Sequence, residues 1–301
     1  MKKIQLSDEH WIGEGKKERW IGEGEPPLII AEIGNNHNGD INIAFELIKK
    51  AKEIGVDAVK FQIKDIESSF SKELLDKAYS GPNSFGETYR DHKRALEFSE
   101  DQMKQIYQFA KKIDIICFAT PFDVNSVDML ERLGNSIYKI SSFHVTDLNL
   151  IEKIAKTKKP ILMSTGMSSL EEIESAVNLI RKYSDKLALF QCTSSYPTSN
   201  EDVNLRVIPA LNSKFDCPVG YSGHERGTSI SVASVTMNAC MIERHFTLDR
   251  TMKGPDHASS VEPTGLKLLV ERVNKVFIAL GSDEKSVLDS ELNNRKKFRG
   301  Y

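Results

Sequence analysis

LIIAEIGNNHNGDINIAFELIKKAKEIG, residues 28–55, combines an apolar run, a polar cluster and a helical pattern in direct succession. LIIAEIG has the length and composition of a buried strand. The cluster NNHNGD is typical of a loop, and in INIAFELIKKAKEIG the apolar side chains recur at helical spacing. This succession predicts one strand–loop–helix unit of a parallel sheet.

Further short apolar runs follow, and polar or amphipathic stretches separate them. In chain order they are AVKFQ (58–62), IICFATPF (115–122), IYKISS (137–142), PILMSTG (160–166), LALFQCT (187–193), PVGYSGH (218–224) and MIERHFT (241–247). Eight strand–helix pairs in tandem predict an α/β fold, a single (β/α)8 TIM barrel over residues 26–285. An open doubly wound sheet is the alternative, but it needs more edge-like strands than the sequence offers.

Three segments stand outside this alternation. WIGEG occurs at residues 11–15 and again at 20–24, around KKER, which predicts an N-terminal β-hairpin within residues 1–25. Residues 64–99 form a long insertion after the second strand, which we expect to be a loop with some helix, too polar for the core. Residues 286–301 are expected to form a C-terminal tail.

The composition limits the possible function classes. The chain has 301 residues, 40% of them hydrophobic and 28% charged, and its formal net charge is −2. This near-neutral balance argues against nucleic acid as a partner, since phosphate binding on that scale needs a basic face. No apolar run is long enough to cross a bilayer, and the first residues lack a signal-peptide core. The four cysteines have no CxxC spacing, so we expect buried, reduced thiols in a cytoplasmic protein.

The strand-like runs end in polar or ionisable residues, and these ends open on the catalytic face of a TIM barrel. Glu32 lies near the end of the first run, and Lys60 and Lys139 lie inside apolar runs. A lysine inside a strand is unfavourable unless it is paired or lies at a wet rim, so one interpretation is a salt bridge to Glu32 or Glu243. The other is an anion site, for which three strand ends supply hydroxyl groups. These are Ser142, Ser164 and Ser222.

His224 and His245 end the last two runs, which are neighbouring strands in a barrel. A single histidine is more often structural than a ligand, but two adjacent neutral imidazoles can hold a divalent metal ion. Water or a carboxylate would complete the shell. Asp256, in the loop after the eighth strand, is a candidate to complete it or to bind a hydroxylated substrate.

Nine short motifs occur along the chain in this order: EIGNNHNG, AVKFQ, FATPF, YKISS, STGMSS, CTSSYPT, GYSGH, ERHFT and KGPDH. Together they resemble the sialic acid synthase family, which makes sialic, legionaminic and pseudaminic acids, and the resemblance covers residues 20–299. It implies a transferase that condenses phosphoenolpyruvate with an N-acetylated, N-acetylmannosamine-like hexose and releases phosphate. It also implies a divalent metal cofactor, Mn²⁺ or Mg²⁺, with His224 and His245 as its ligands.

The resemblance also implies roles for individual side chains. Glu32 is similar to the carboxylate that takes a proton from water. The residues expected to bind phosphoenolpyruvate are Lys60, Thr120, Lys139, Ser142, Ser164 and Ser222. Those expected at the sugar are Gln62, Asn83, Ser194, Tyr196 and Asp256.

Some features depart from the family pattern. Members usually continue into a small β-clip domain that reaches across a dimer and gives an arginine to the sugar, whereas this chain ends at NNRKKFRGY. We therefore expect a homodimer, or a separate β-clip partner chain. Ser194 and His144 replace the usual Asn and Glu, and SSFxxTD is more typical of the legionaminic and pseudaminic branch. We hypothesise that the insertion 64–99 closes the sugar side, with four candidate residues. These are Arg90, His92, Lys93 and Arg94.

Two other functions stay open from the sequence alone. One is a Schiff-base aldolase or lyase of pyruvate, with Lys139 or Lys60 as the nucleophile. It would not need His224 and His245. The other is a non-catalytic paralogue that binds a sugar or a partner chain.

Overall fold

The computed structural model describes residues 3–7 and 18–301, and its centre is a closed barrel of eight parallel strands. In chain order the strands are β1 (Ile4–Ser7), β2 (Arg19–Ile21), β3 (Leu28–Gly34), β4 (Ala58–Ile63), β5 (Ile116–Pro121), β6 (Tyr138–Ile140), β7 (Ile161–Ser164), β8 (Leu187–Cys192), β9 (Val219–Gly223) and β10 (Met241–His245). Strands β3 to β10 each pair with the next, and β10 closes the barrel on β3. The predicted TIM barrel is therefore confirmed.

Helices connect the barrel strands. The α-helices are α1 (Ile41–Ile54), α2 (Ile66–Ser69), α3 (Lys72–Leu75), α4 (Tyr89–Leu96), α5 (Glu100–Lys112), α6 (Val124–Arg132), α7 (Leu148–Ala155), α8 (Leu170–Arg181), α9 (Val207–Phe215), α10 (Ser229–Ser234), α11 (Pro263–Leu280) and α12 (Leu292–Arg299). Short 3₁₀ helices lie at Ser142–His144, Asn200–Asp202, Val235–Met237, His257–Ser259 and Asp289–Glu291.

The first strand–loop–helix unit forms where its sequence predicts it. Every residue of β3 is buried, as expected for a strand covered on both faces. The Asp40 side chain accepts a hydrogen bond from the Asn42 amide and caps the start of α1. Gly55 ends the helix in a left-handed conformation, φ +91°. Local capping thus separates the helix from the loop that carries the polar cluster.

A small antiparallel sheet of β1 and β2 covers the N-terminal end of the barrel. Ile4, Leu6 and Ile21 are buried there against apolar side chains from the barrel strands. The predicted hairpin is present, but its first strand is Ile4–Ser7, which the sequence analysis did not identify. The second WIGEG copy contributes Trp20 and Ile21 to β2, and the first copy lies outside the described residues.

The insertion 64–99 is more than a polar loop. It contains α2, α3 and α4, so the predicted helix content is present. Ile66, Leu75 and Leu96 are buried, because the short helices turn these side chains inward. The expectation that the whole segment is too polar to be buried is therefore wrong.

The C-terminal residues after α11 are largely exposed, α12 included. The proposed division of the chain at residues 25 and 285 stays a prediction. Among the residues that the structure describes, no helix is long and apolar enough to cross a membrane. The four cysteines are buried, as predicted, and none of them forms a disulfide within the described part of the chain.

Candidate active site

A cavity of about 460 Å³ opens at the C-terminal ends of the barrel strands. Its volume lies in the range of small-molecule sites. Parallel strands end at one rim, so residues far apart in the chain meet there. The predicted site residues that line it are Glu32, Lys60, Gln62, Thr120, Lys139, Ser142, Ser164, Tyr196, Ser222, His224, His245 and Asp256.

Glu32 and Lys60 form a buried ion pair in this cavity. They face each other on paired strands β3 and β4, and Glu32 Oε2 lies 2.8 Å from Lys60 Nζ. The ammonium also donates to Thr120 Oγ1 at 2.9 Å, and Glu243 Oε1 is 3.8 Å away. Burial acts to lower the pKa of Lys60, but Glu243 and Glu32 outweigh this effect and the pKa is raised. Lys60 is therefore a fixed positive charge.

Lys139 and Glu243 form a second buried pair, which crosses the barrel interior from β6 to β10. Lys139 Nζ lies 3.0 Å from Glu243 Oε1, and the same oxygen accepts from Ser222 Oγ at 3.2 Å. Burial lowers the pKa of Lys139, and the attraction of Glu243 only partly offsets it. Burial raises the pKa of Glu243, but Lys139 and Lys60 reverse this and the pKa falls to about 2.

The four groups Glu32, Lys60, Lys139 and Glu243 are here called the floor of the cavity. Each is at most 5% exposed. The charges of the two ammonium and two carboxylate groups cancel, and this pairing lowers the free-energy cost of burying four charged groups.

Serine hydroxyl groups lie around the floor. Ser142 Oγ accepts from the Gly166 amide at 3.0 Å. The hydroxyl oxygens of Ser164 and Ser194 are buried and have no hydrogen-bond partner among the described residues. A Cβ atom at Gly166 would lie 2.4 Å from Ser194 Oγ and 2.9 Å from Ser142 Oγ, so a side chain here would displace both hydroxyl groups. Ser194 itself does not line the cavity. Hydroxyl groups without a hydrogen-bond partner in the protein can donate hydrogen bonds to an anionic ligand.

The rings of His224 and His245 lie close together, with centroids 5.6 Å apart. His224 Nδ1 lies 2.9 Å from the carbonyl oxygen of Thr193. A carbonyl can only accept, so Nδ1 carries the proton and the lone pair of the neutral ring is on Nε2. His245 Nδ1 is buried without a hydrogen-bond partner in the described part of the chain, and Asp256 Oδ2 is 3.9 Å from it. The Tyr196 ring packs against His224 at 4.1 Å.

A hydrogen-bonded chain that the sequence analysis missed runs along one wall. Glu32 Oε1 accepts from Gln62 Nε2 at 2.8 Å, and Gln62 Oε1 accepts from Lys64 Nζ at 3.1 Å. Lys64 Nζ in turn donates to Glu97 Oε1 at 3.3 Å. The lysine fixes which end of the Gln62 amide faces Glu32. No local pattern identifies Lys64 and Glu97, because they are 33 residues apart.

Cys192 also lines the cavity, and its position was not predicted. Burial raises the pKa of its thiol, but a hydrogen bond with His224 reverses the effect and the pKa is lowered. The apolar run LALFQCT gave no sign of this contact, which joins β8 to the end of β9.

Asn83 does not lie with the other predicted sugar-binding residues. Its Oδ1 accepts a hydrogen bond from the Gly254 amide at 3.3 Å, so it braces the loop that carries Asp256. Its position in the exposed part of the insertion explains the difference.

The insertion reaches the cavity, but not through the arginines. Arg90 pairs with Glu67 and Asp76, and Arg94 pairs with Glu67 at 2.7 Å. The expectation that Arg90 and Arg94 face the sugar is therefore wrong, because surface carboxylates hold both side chains. His92 is buried and does not line the cavity. Lys93 is the member of this group that lines the cavity. His144, from the loop between β6 and α7, also lines it.

A parallel barrel with a charged, hydroxyl-lined cavity at its C-terminal face has the organisation of an enzyme that binds a small anionic substrate. A model described as the NeuB family matches residues 47–285. The chain is 42% identical over 296 residues to mouse N-acetylneuraminate-9-phosphate synthase, which covers 98% of this chain and 80% of the relative. The chain belongs to the NeuB family.

Two further proteins, one compared by sequence and one by structure, are similar to this chain. N,N'-diacetyllegionaminic acid synthase of Campylobacter jejuni is 42% identical over 275 residues, which cover 89% of this chain and 81% of the relative. The crystal structure of an N-acetylneuraminic acid synthetase from Leptospira borgpetersenii, in complex with citrate, matches with a TM-score of 0.82 and 33% identity, and the match covers 99% of both chains.

These matches confirm the predicted sialic acid synthase family and the predicted transferase class. The predicted function, synthesis of a nonulosonic acid, is confirmed at the level of the enzyme class. They give no support to the Schiff-base lyase or to the non-catalytic paralogue.

Replacing Glu243 with Gln should destabilise the protein. The change keeps the side-chain shape but leaves Lys139 and Lys60 without their shared carboxylate, and removing one partner of a buried pair costs about 3–5 kcal/mol. Because the pKa of Glu243 lies below its ordinary value of 4.5, the advantage of the wild type is full above that pH and declines as the pH falls toward the folded pKa. Denaturant unfolding at neutral pH and below pH 4.5 measures both effects.

Asp128→Asn provides the matched control. Asp128 pairs with Lys153 at 2.6 Å, but both side chains are exposed, so the loss should stay below about 1 kcal/mol. Equal losses for the two variants would show that the buried lysines do not depend on Glu243.

Proposed function

We propose that this chain condenses phosphoenolpyruvate with the open-chain form of an N-acetylated hexose, giving a nonulosonic acid and inorganic phosphate. The observation that carries the proposal is the floor, where Lys60 and Lys139 are buried yet held in ion pairs. Around it, Ser142, Ser164 and Ser222 supply hydroxyl groups from three strand ends. Several converging donors of this kind fit a phosphate and a carboxylate together.

The charge balance of the floor makes a divalent metal ion part of the proposal. Phosphoenolpyruvate carries about three negative charges, from its phosphate and its carboxylate. The two lysines and two glutamates already cancel, so the substrate needs a further positive charge nearby. A cation held by His224 and His245 would supply this charge and would act as a Lewis acid toward the hexose.

The two histidines fit such an ion. Their nitrogen donors suit a divalent transition metal, and the hydrogen bond from His224 to Thr193 orients its ring as second-shell contacts do. In the described part of the chain, no group of three or more His, Cys, Asp or Glu side chains is assembled for a metal. His224 and His245 would therefore share the ion with water or substrate, and of the two predicted ions Mn²⁺ fits the imidazole nitrogens better than Mg²⁺, which prefers oxygen ligands.

The arrangement of Glu32 supports a role as the base in this reaction. Carbon 3 of phosphoenolpyruvate attacks the aldehyde carbon of the hexose, whose oxygen becomes an alkoxide, and positive charge develops on carbon 2. Water adds to carbon 2 and gives its proton to Glu32, which Gln62 and Lys60 hold from both sides. Glu32 returns this proton to the alkoxide oxygen. The tetrahedral intermediate then loses phosphate by cleavage of its C–O bond, and the proton of its carbon 2 hydroxyl passes to the departing phosphate, which leaves a ketone. The lysines stabilise the negative charge throughout.

The sugar would lie above the floor. Gln62, Tyr196, Asp256 and His144 line this part of the cavity, and the hydroxyl of Ser194 is close behind Gly166. Asn83 would act indirectly, through the loop that it braces. The identity of the hexose, the homodimer, a separate β-clip partner and the cytoplasmic location stay predictions.

Exhaustive treatment with a chelator should abolish turnover, and added Mn²⁺ or Mg²⁺ should restore it. The reason is that two imidazoles alone hold a divalent ion weakly enough for exchange. Phosphate release from phosphoenolpyruvate in the presence of an N-acetylated hexose measures the turnover. Full activity after chelation would exclude the metal from the reaction.

Glu32→Gln should keep the fold and the affinity for phosphoenolpyruvate but lose about 100- to 10,000-fold in turnover. Lys60 keeps Glu243 and Thr120 as neighbours in this variant, but Glu243 is then shared between two lysines, so thermal unfolding checks that the fold is kept. Steady-state kinetics and equilibrium binding measure the two properties. A loss below about threefold would mean that Glu32 is a partner of Lys60 and not the base.

A further inference from the structure

Helix α4 forms one wall of the cavity, and its positively charged side chains lie on two different sides of the helix. Arg90 and Arg94 turn to the surface, where they pair with Glu67. Tyr89 and Lys93 line the cavity. The wall therefore presents one cation of this helix to a bound substrate.

The ammonium of Lys93 differs from the lysines of the floor because it has no carboxylate at ion-pair distance among residues 3–7 and 18–301. It lies 5.0 Å from the ring centre of Tyr89 and 5.7 Å from that of Phe70. Burial lowers the pKa of Lys93, although Asp256 and Glu97 oppose this from a distance. A partly buried cation without a counter-ion is a binding group for an anion.

The neighbouring lysine of this wall is already engaged. Lys64 Nζ is shared between Gln62 and Glu97, so it has less freedom to bind a ligand. The cavity thus contains a compensated pair of lysines at its floor and one uncompensated lysine on its wall.

The proposed reaction determines which part of the hexose faces each region. The aldehyde carbon of the hexose must approach phosphoenolpyruvate at the floor. Carbon 6 is the carbon farthest along the chain from the aldehyde, so it extends away from the floor. An anionic group on carbon 6 is therefore the part of the substrate that an uncompensated lysine on the wall would recognise.

We propose that Lys93 binds a phosphate group on carbon 6 of the hexose, so that the substrate is an N-acetylated hexose 6-phosphate. The inference rests on the proposed function. Three carbons of the product come from phosphoenolpyruvate, so carbon 6 of the hexose becomes carbon 9 of the nonulosonic acid and the product is a 9-phosphate. The names of the relatives leave this open, because the mouse protein is named for a 9-phosphate and the Campylobacter jejuni protein is not.

The test compares a panel of N-acetylated hexoses, including N-acetylmannosamine, each with and without a 6-phosphate. Wild-type kcat/KM should be at least about tenfold higher for the phosphorylated form of the accepted hexose, as expected for a charge-assisted contact. Lys93→Met should remove most of this preference by raising KM for the phosphorylated hexose. Its KM for phosphoenolpyruvate and its kcat/KM for the unphosphorylated hexose should change much less than its KM for the phosphorylated hexose. Lys93→Arg keeps the charge and should keep part of the preference.

Arg94→Met is the matched control, because it removes a positive charge from the next residue but on the outer side of α4. It should leave all kinetic parameters unchanged. Thermal unfolding of each variant checks that the fold is intact. If Lys93→Met does not fold, the wild-type preference tests the 6-phosphate and Lys93→Arg tests the lysine.

Three results would overturn the inference and leave the proposed function standing. They are equal use of both hexose forms by the wild type, an equal loss for both forms in Lys93→Met, and a rise in the KM for phosphoenolpyruvate alone. Absence of phosphate release with every hexose of the panel would instead overturn the proposed function, and the inference with it.

Discussion

The carboxylate of Glu243 is the group on which the active site depends. It lies inside the barrel, 3.0 Å from Lys139 and 3.8 Å from Lys60, and so allows two positive charges to stay buried side by side. Without it the lysines would repel each other in a place where water cannot screen them. Glu32 completes the balance from β3. The cost of burying charge is thus offset within the barrel, and the lysines are ready to bind an anion.

The two ends of the barrel are built for different tasks. At the N-terminal end, Ile4, Leu6 and Ile21 of the small sheet close an apolar interior. At the C-terminal end the interior becomes polar, and the loops are held by capping and bracing contacts such as that of Asn83 with Gly254. This division is typical of the fold, in which one face serves stability and the other carries the chemistry.

The sequence predicted what depends on local pattern. Apolar runs alternating with helical segments identified the barrel, and a lysine inside an apolar run was conspicuous enough to mark Lys60 and Lys139. Contacts that depend on barrel closure left no such signal. The pair of Lys139 with Glu243 joins residues 104 apart, and the sequence alone leaves open both a salt bridge to Glu32 or Glu243 and an anion site. The prediction that Arg90 faces the sugar was also wrong, because helical spacing does not say which face of α4 meets the cavity.

The buried lysines of the floor are expected to bind phosphoenolpyruvate. Calorimetric titration of phosphoenolpyruvate into wild type, Lys139→Met and Lys153→Met tests this binding most directly, on proteins that unfold cooperatively. Lys153 is an exposed lysine in a surface pair and serves as the control. We expect Kd to rise at least about tenfold for Lys139→Met and to stay unchanged for Lys153→Met. An unchanged Kd for Lys139→Met would contradict this expectation.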